Sequence, residues 1–226
     1  MYKKFFALVM ALGLVACASV PQQQTVELPA DYFKQSPGRI GVVMAVPAPD
    51  TTFPGAGCLL CYATASAMNS SLTTAVKAWP VDDLQALKGE MVTLLRARGV
   101  QAVALDQPLQ LNTLPDRQAE LGFARKSFAT LAKSASVDRL LVINVQALGA
   151  WRNYASYVPT GAPQAVLKGE AYLVDAGTDR LEWFDKFDLA LAAEGEWDEA
   201  PKFPGLSNAY FQVLERGKDR IKKSFQ

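Results

Sequence analysis

The chain reads as a single α/β (α+β) domain, helices packed on a mixed β-sheet, with a run of three strands before a carboxyl-terminal helix. Three observations predict this. Arg39–Val46 is a continuous apolar run stopped by Pro47, as a buried strand is. Two stretches, 82–98 and 206–225, carry apolar residues at helical spacing. Between 141 and 189 the period changes to two, the mark of half-buried strands.

The first residues, MYKKFFALVMALGLVACAS, place Lys3 and Lys4 before an apolar run from Phe5 to Ala16 and small residues around Cys17. That is the layout of a secretory signal, and the run is too short to span a bilayer as a mature helix. Leu14-Val15-Ala16-Cys17 resembles the lipobox of bacterial lipoproteins. The resemblance implies that Cys17 receives a diacylglyceryl group, becomes the new amino terminus and is acylated again, for instance with palmitate. Several chains at ~0.8 kcal/mol per buried methylene make a stable anchor. Ala18, in place of Asp, resembles the sorting rule for the outer membrane. The expected organisation is therefore a signal peptide over 1–17, a Pro/Gln-rich tether over 18–38 and a periplasmic α/β domain over 39–226.

Within that domain the segment 63–78 is rich in small residues and ambiguous, although Leu72 and Val76 permit a helix. Residues 82–98 predict the clearest helix: Asp82 and Gln85 form a capping-box-like start, Leu84, Leu87, Met91, Leu94 and Leu95 form one stripe, and Gly99 follows Arg96 and Arg98. Val100–Leu105 reads as a strand. Residues 116–134 predict a second helix with Leu121, Ala124, Phe128 and Leu131 on one face. Three strands follow, carried by Leu141, Ile143, Val145 and Ala147, by Leu167, Ala171 and Leu173, and by Trp183, Phe187 and Leu189. The last two join through a hairpin loop at Ala176-Gly177-Thr178-Asp179. The final helix, 206–225, turns Leu206, Tyr210, Val213, Leu214, Gly217 and Ile221 inward. Its basic end, Arg216, Lys218, Arg220, Lys222 and Lys223, reads as a solvated face with an Asp219/Lys223 pair.

Cys58-Leu-Leu-Cys61 holds the other two of three cysteines. In an oxidising compartment the two are expected to pair or to be catalytic. A thioredoxin-like centre wants such a pair at a helix amino terminus directly after a strand. Here the long loop PAPDTTFPGAG intervenes after the strand-like 39–46, which favours a structural disulfide over redox activity or free thiols. The chain has no histidine. That removes the usual zinc, haem and Ser/His or Cys/His arrangements, and no cofactor or metal is expected. Carboxylate chemistry of the glycosidase kind needs a pair of acids. Asp82-Asp83, Asp185/Asp188 and Glu194/Glu196/Asp198/Glu199 are the available groups, and each reads more simply as a helix start, a strand face or a solvated loop. The formal charge of +1 falls to about −1 when Lys3 and Lys4 leave with the signal, so no charge excess points to nucleic acid.

Val137-Asp138-Arg139-Leu140-Leu141-Val142, Gly169 through Thr178 (GEAYLVDAGT) and Leu181-Glu182-Trp183 resemble the strand signatures of periplasmic lipoproteins with a TolB amino-terminal-domain-like fold, which include the curli-secretion and penicillin-binding-protein-activator lipoproteins. The resemblance implies a protein that acts by binding or oligomerising and not by catalysis. The expectation is an outer-membrane lipoprotein facing the periplasm, a binding or assembly module for an envelope protein complex or for self-association. A thiol-disulfide oxidoreductase built on Cys58 and Cys61 is the alternative, and a carboxylate-dependent cell-wall hydrolase is a third reading. The candidate contact residues are Trp151, Tyr154 and Tyr157 in GAWRNYASYVPTGAPQ, with Trp197 in a second, acidic loop. Their spacing by three does not match one strand face, so at least one of the first three rings is expected outside the sheet core.

Overall fold

The apolar runs of the sequence become the interior of a six-stranded mixed sheet in a computed structural model that describes residues 21–226. The leader and Cys17 lie outside the described residues. Strand β1 (Arg39–Ala45) pairs in parallel with β3 (Gln101–Ala104) on one side and with β4 (Arg139–Trp151) on the other. Two antiparallel strands, β7 (Gln164–Asp175) and β8 (Leu181–Ala192), extend the sheet in the order β3-β1-β4-β7-β8. A short strand, β2 (Asp50–Thr52), pairs in parallel with the far end of β4, at Gly149–Trp151. The expected Pro/Gly loop after β1 thus contains a strand. Pro47 and Pro49 break the ladder, and Thr51-Thr52 resumes it.

Both faces of the sheet are covered, which is why β4 reads as a near-continuous apolar run. On one face Leu141, Ile143, Val145, Leu167, Leu173 and Phe187 meet helix α3 (Asp82–Ala97), through Leu84, Leu87, Met91 and Leu95, and helix α5 (Pro204–Lys223), through Leu206, Tyr210, Val213 and Ile221. On the other face Leu140, Val142, Tyr172, Val174 and Phe184 pack on Phe128 and on Ala132 of helix α4 (Ala129–Ala135). The alternation expected along β4 holds as far as Val145. A bulge at Gln146 then shifts the phase, so that Leu148 and Ala150, and not Ala147, turn to the first face. The hairpin loop after β7 is as expected: the Asp175 carboxylate accepts from the amides of Gly177 and Thr178 and from the Thr178 hydroxyl.

Four local expectations are corrected. The helix predicted over 116–134 shrinks to α4. Residues 115–127 instead bond to one another and to the β7–β8 turn, with Ala124 N–H donating to Asp179 O and Leu181 N–H to Gly122 O. Gly122 has φ +79, a conformation that stops a helix. The capping box of α3 does not form: Asp82 is already the first helical residue, Val81 stands at the cap, and no side chain bonds there. The segment 21–38, read as a tether, is partly built into the domain. Val26 makes a two-bond bridge to Phe184 on the β8 edge, and the buried Tyr32 donates its hydroxyl to Glu182 at 2.6 Å. Arg139 completes that cluster, donating to Glu182 at 2.7 Å and to Pro37 O.

The basic end of α5 is less solvated than its sequence implies. Lys218, largely buried, places Nζ 3.0 Å from both Glu90 and Glu215. Lys222 reaches Glu90 and Asp219 at 3.2 Å, so Asp219 pairs with Lys222 and not with Lys223. Arg220 binds Asp185 with two hydrogen bonds, at 2.6 and 2.7 Å. Burial raises the Glu90 carboxyl, but the hydrogen bonds from Lys218 and Lys222 outweigh it and hold the group below its ordinary value. A carboxyl that is the stronger acid when folded contributes fully above its unfolded value, near ~4.3, and loses that contribution as pH falls through the lower folded value. Glu90→Gln is therefore expected to cost less than ~1 kcal/mol at neutral pH, the range of a solvent-screened pair. Urea titrations should show the deficit shrinking toward zero as pH falls through that lowered folded value, and a deficit that stays constant in acid would contradict the assignment.

Candidate functional site

Beyond the end of β4 the chain builds a small cap. From β2 it runs through Phe53-Pro54-Gly55-Ala56-Gly57 into helix α1 (Leu59–Met68), followed by helix α2 (Ser70–Lys77). Cys58 is the N-cap of α1: its backbone is extended, and its Sγ accepts from Cys61 N–H at 2.9 Å, the role that Ser or Asp commonly takes. The two cysteines are joined as a disulfide with Cα atoms 5.0 Å apart. The pair therefore does sit at a helix amino terminus, five residues after a strand, which corrects the sequence expectation. Its two sulfurs are unequal. Cys58 is exposed, whereas Cys61 is 3% exposed.

The aromatic segment 149–164 closes over this pair. Strands β5 (Tyr154–Ala155) and β6 (Val158–Pro159) form a hairpin whose backbone is bonded to the loop before Cys58: Tyr154 N–H donates to Pro54 O at 2.8 Å and Ser156 N–H to Gly55 O at 3.3 Å. Gly55 has φ +87, and a Cβ there would stand 1.8 Å from Tyr154 O, so the approach needs glycine. The hairpin tip delivers two hydroxyls to the sulfurs. Ser156 Oγ lies 3.3 Å from Cys61 Sγ and the Tyr157 hydroxyl 3.7 Å from Cys58 Sγ; against a disulfide only the hydroxyls can donate.

Tyr154 is not a surface contact. At 5% exposure it forms a satellite core with Phe53, Ala56, Cys61 and Ala65, its ring edge-on to Phe53 at 5.8 Å. Its hydroxyl accepts from Asn69 Nδ2 at 2.7 Å, and Asn69, itself buried, accepts from Arg152 at 3.0 Å. The Arg152 guanidinium lies 4.7 Å over the Trp197 ring, which stacks on Phe203. Trp151 donates to Gln164 at 3.0 Å and carries Lys168 3.8 Å above its ring. Of the four candidate contact residues, Trp151 and Trp197 are half-buried and engaged within the chain, Tyr154 is core, and Tyr157 alone is open, at 46% exposure.

What surrounds Tyr157 was not legible from its own segment. Of the eight large hydrophobic side chains exposed among the described residues, six cluster on the cap: Leu59, Leu60, Tyr62, Met68, Tyr157 and Val158. A concentration of that kind differs from the single exposed apolar residues that any surface carries. No charged residue occurs between Asp50 and Lys77. Helix α1 is apolar or small all round yet buries only Cys61 and Ala65, whereas a helix of that composition is ordinarily buried.

The segment 21–26 is tied to residues 122–125 and to the edge of β8. Pro21 O accepts from Arg125, Gln23 accepts from Gly122 N–H at 3.1 Å, and Val26 bridges Phe184. Phe184 is aligned across the sheet with Tyr172 and Val142, nine residues before Trp151 on β4. At ~3.3 Å per residue, about 30 Å separates the two levels. Among the described residues no helix is long and apolar enough to cross a membrane, and no cluster of three or more His, Cys, Asp or Glu is arranged to hold a metal ion. Asp185 and Asp188 each face a cation, Arg220 and Lys168, and not one another.

No family model matches the chain, and no curated protein is detectably similar to it. Among solved structures it is similar to a DUF330 protein from Xanthomonas campestris, with 15% identity, a TM-score of 0.39 and coverage of 89% of this chain and 90% of that one. It is also similar to lipoprotein GNA1162 from Neisseria meningitidis, with 12% identity, a TM-score of 0.29 and coverage of 79% and 98%. At such identities and TM-scores the likenesses carry neither fold nor function to this chain.

Because the cap has its own small core, damage to it should stay local. Tyr154→Phe, which removes one of the two acceptors of Asn69 Nδ2 and leaves Ala65 O, is expected to cost ~0.5–1.5 kcal/mol, and Tyr154→Ala ~3–5 kcal/mol, the range for an aromatic ring lost from a core. Hydrogen exchange should speed up in 53–69 and 152–160 before it changes in β4 and β7. Uniform loss of protection across the sheet would show that the cap is not a separate unit.

Proposed function

We propose that the chain is a lipid-anchored envelope protein of a bacterium, held in the outer membrane through Cys17, that faces the periplasm and acts by contact as a binding or assembly module. The observation that carries the reading is the set of exposed apolar side chains on the cap, Leu59, Leu60, Tyr62, Met68, Tyr157 and Val158, with no charged residue between Asp50 and Lys77. Exposed aromatic and aliphatic side chains of this kind are what interface centres are enriched in. The leader supports the anchoring. The TolB-like kinship belongs to the same proposal: its residues fall at the start of β4, along β7 and its turn, and at the start of β8.

Two measurements test it separately. Cys17→Ser should abolish palmitate labelling and move the protein out of the outer-membrane fraction; unchanged labelling would refute the anchor. A photo-crosslinking residue at position 62, itself exposed, should give an adduct in intact envelopes that one at the exposed Glu120 does not. Leu59→Glu with Leu60→Glu should cut the adduct by ~10-fold, the scale of a modest hot spot, without moving the melting transition, since both side chains are exposed. Equal adducts from both positions would refute the contact surface.

A further inference from the structure

The disulfide of the cap is poorly explained as a staple. It closes a four-residue span, and such short loops gain the least from cross-linking. The cap is already held by the satellite core, the Asn69–Tyr154–Arg152 hydrogen bonds and the backbone bonds to Gly55 and Pro54. What the disulfide does have is an arrangement suited to exchange. Cys58 is an exposed residue and Cys61 a buried one, so an incoming thiolate meets Cys58 first. Cys58 lies at the amino end of a ten-residue helix, where a thiolate is favoured by the helix dipole. Donors already converge on both sulfurs: Cys61 N–H and the Tyr157 hydroxyl on Cys58, and the Ser156 hydroxyl on Cys61.

We infer that Cys58–Cys61 is a redox-active disulfide that accepts electrons from dithiols in extended, apolar polypeptide segments, with Cys58 the sulfur attacked and Cys61 the leaving group. A substrate thiolate attacks Cys58 Sγ. The Cys58–Cys61 bond breaks, a mixed disulfide forms between Cys58 and the substrate, and Cys61 departs as a thiolate beside Ser156 and takes up a proton. A second substrate thiolate then attacks the substrate sulfur of the mixed disulfide. This expels Cys58 as a thiolate, which Cys61 N–H and Tyr157 stabilise until it is protonated. The substrate dithiol becomes a disulfide, and two electrons and two protons come to reside on Cys58 and Cys61. The protein's own disulfide is the oxidant for this single turnover. The substrate class follows from what flanks Cys58. Leu59, Leu60, Tyr157 and Val158 offer apolar contact, and no charged residue between Asp50 and Lys77 is present to hold a charged segment. An unfolded chain exposes apolar side chains next to its cysteines; a folded surface rarely does.

The test is a stoichiometric reaction of the full chain carrying Cys17→Ala, so that Cys58 and Cys61 are its only cysteines and the outcome is independent of lipidation and of any envelope partner. The probes are two synthetic dithiol peptides, one flanked by Leu and Val and one by Asp and Lys. The expected result is one peptide disulfide formed per protein disulfide consumed, with the apolar peptide reacting at least ~10-fold faster, the scale of a few apolar groups buried in the encounter. Leu59→Asp with Leu60→Asp should erase that preference. Offered the same apolar peptide in its disulfide form, Cys61→Ser should attack it through the Cys58 thiolate, expel one peptide sulfur as a thiol and accumulate the mixed disulfide at Cys58, whereas Cys58→Ser, whose remaining thiol is buried, should react ~10-fold more slowly or less. The inference is overturned if the protein disulfide exchanges no faster than that of the free nonapeptide GAGCLLCYA, if Cys58→Ser traps peptide as readily as Cys61→Ser, or if the two peptides react alike.

Discussion

The arrangement depends on one strand. β4 runs for thirteen residues, is covered by apolar side chains on both faces and is paired along both edges. One edge belongs to β7 throughout. The other is shared by β1 and then β2, which meet β4 in succession with the Pro47-Ala48-Pro49 break between them. Pairing along both edges and close packing on both faces hold its register, so the position of its far end is fixed. Two glycines meet demands that this pairing makes. Gly149 has φ +126, and a Cβ there would fall 2.2 Å from Asp50 O, while a Cβ at Gly169 would fall 2.3 Å from Asn144 O and 2.7 Å from the Phe187 ring. Everything in the cap, from β2 through α1 to the β5–β6 hairpin, is placed by where β4 ends.

The long strands and the long helices were legible because their periodicity is repeated often enough to survive local interruptions. The faces of α3 and α5 are those that the leucine and aromatic spacing predicts. The segment 116–128 was not legible, because its conformation is decided by partners far off in the chain. Asp179, in the left-handed region at φ 58, uses its carboxylate to accept from Phe128 N–H at 2.9 Å and so starts α4 from a turn fifty-one residues away. Leu121, which helical spacing counted as inward, is exposed. The basic end of α5 misled for a related reason. Charges that look solvated in a one-dimensional pattern can lay their stems on apolar surface and reach acids on another element, as Lys218 does with Glu90 of α3.

The cap shows how a site can be divided between segments, neither of which identifies it. Cys58-Leu-Leu-Cys61 was visible, but the strand before it is three residues long inside a Pro/Gly stretch, so its helix-terminal placement was read as absent. The aromatic segment was visible too, but its spacing does not say that Tyr154 turns inward while Tyr157 turns out. The two meet only because β2 and the end of β4 are adjacent in the sheet. Ser156, whose φ of 60 points the tip back toward Cys61, has no sequence signal at all.

The position of the disulfide within its own small core separates its chemistry from the stability of the sheet. Phe53, Ala56, Cys61, Ala65 and Tyr154 form a cluster distinct from the two that cover the sheet faces. Opening the Cys58–Cys61 bond frees the first turn of α1 without removing a side chain from either of the larger cores. The N-cap bond from Cys61 N–H can persist, because a thiolate at Cys58 accepts it more strongly than a disulfide sulfur does. A reduced cap therefore keeps its helix. The proposed contact through Leu59 and Leu60 and the proposed exchange through Cys58 draw on the same first turn of α1, which β2 and the end of β4 position.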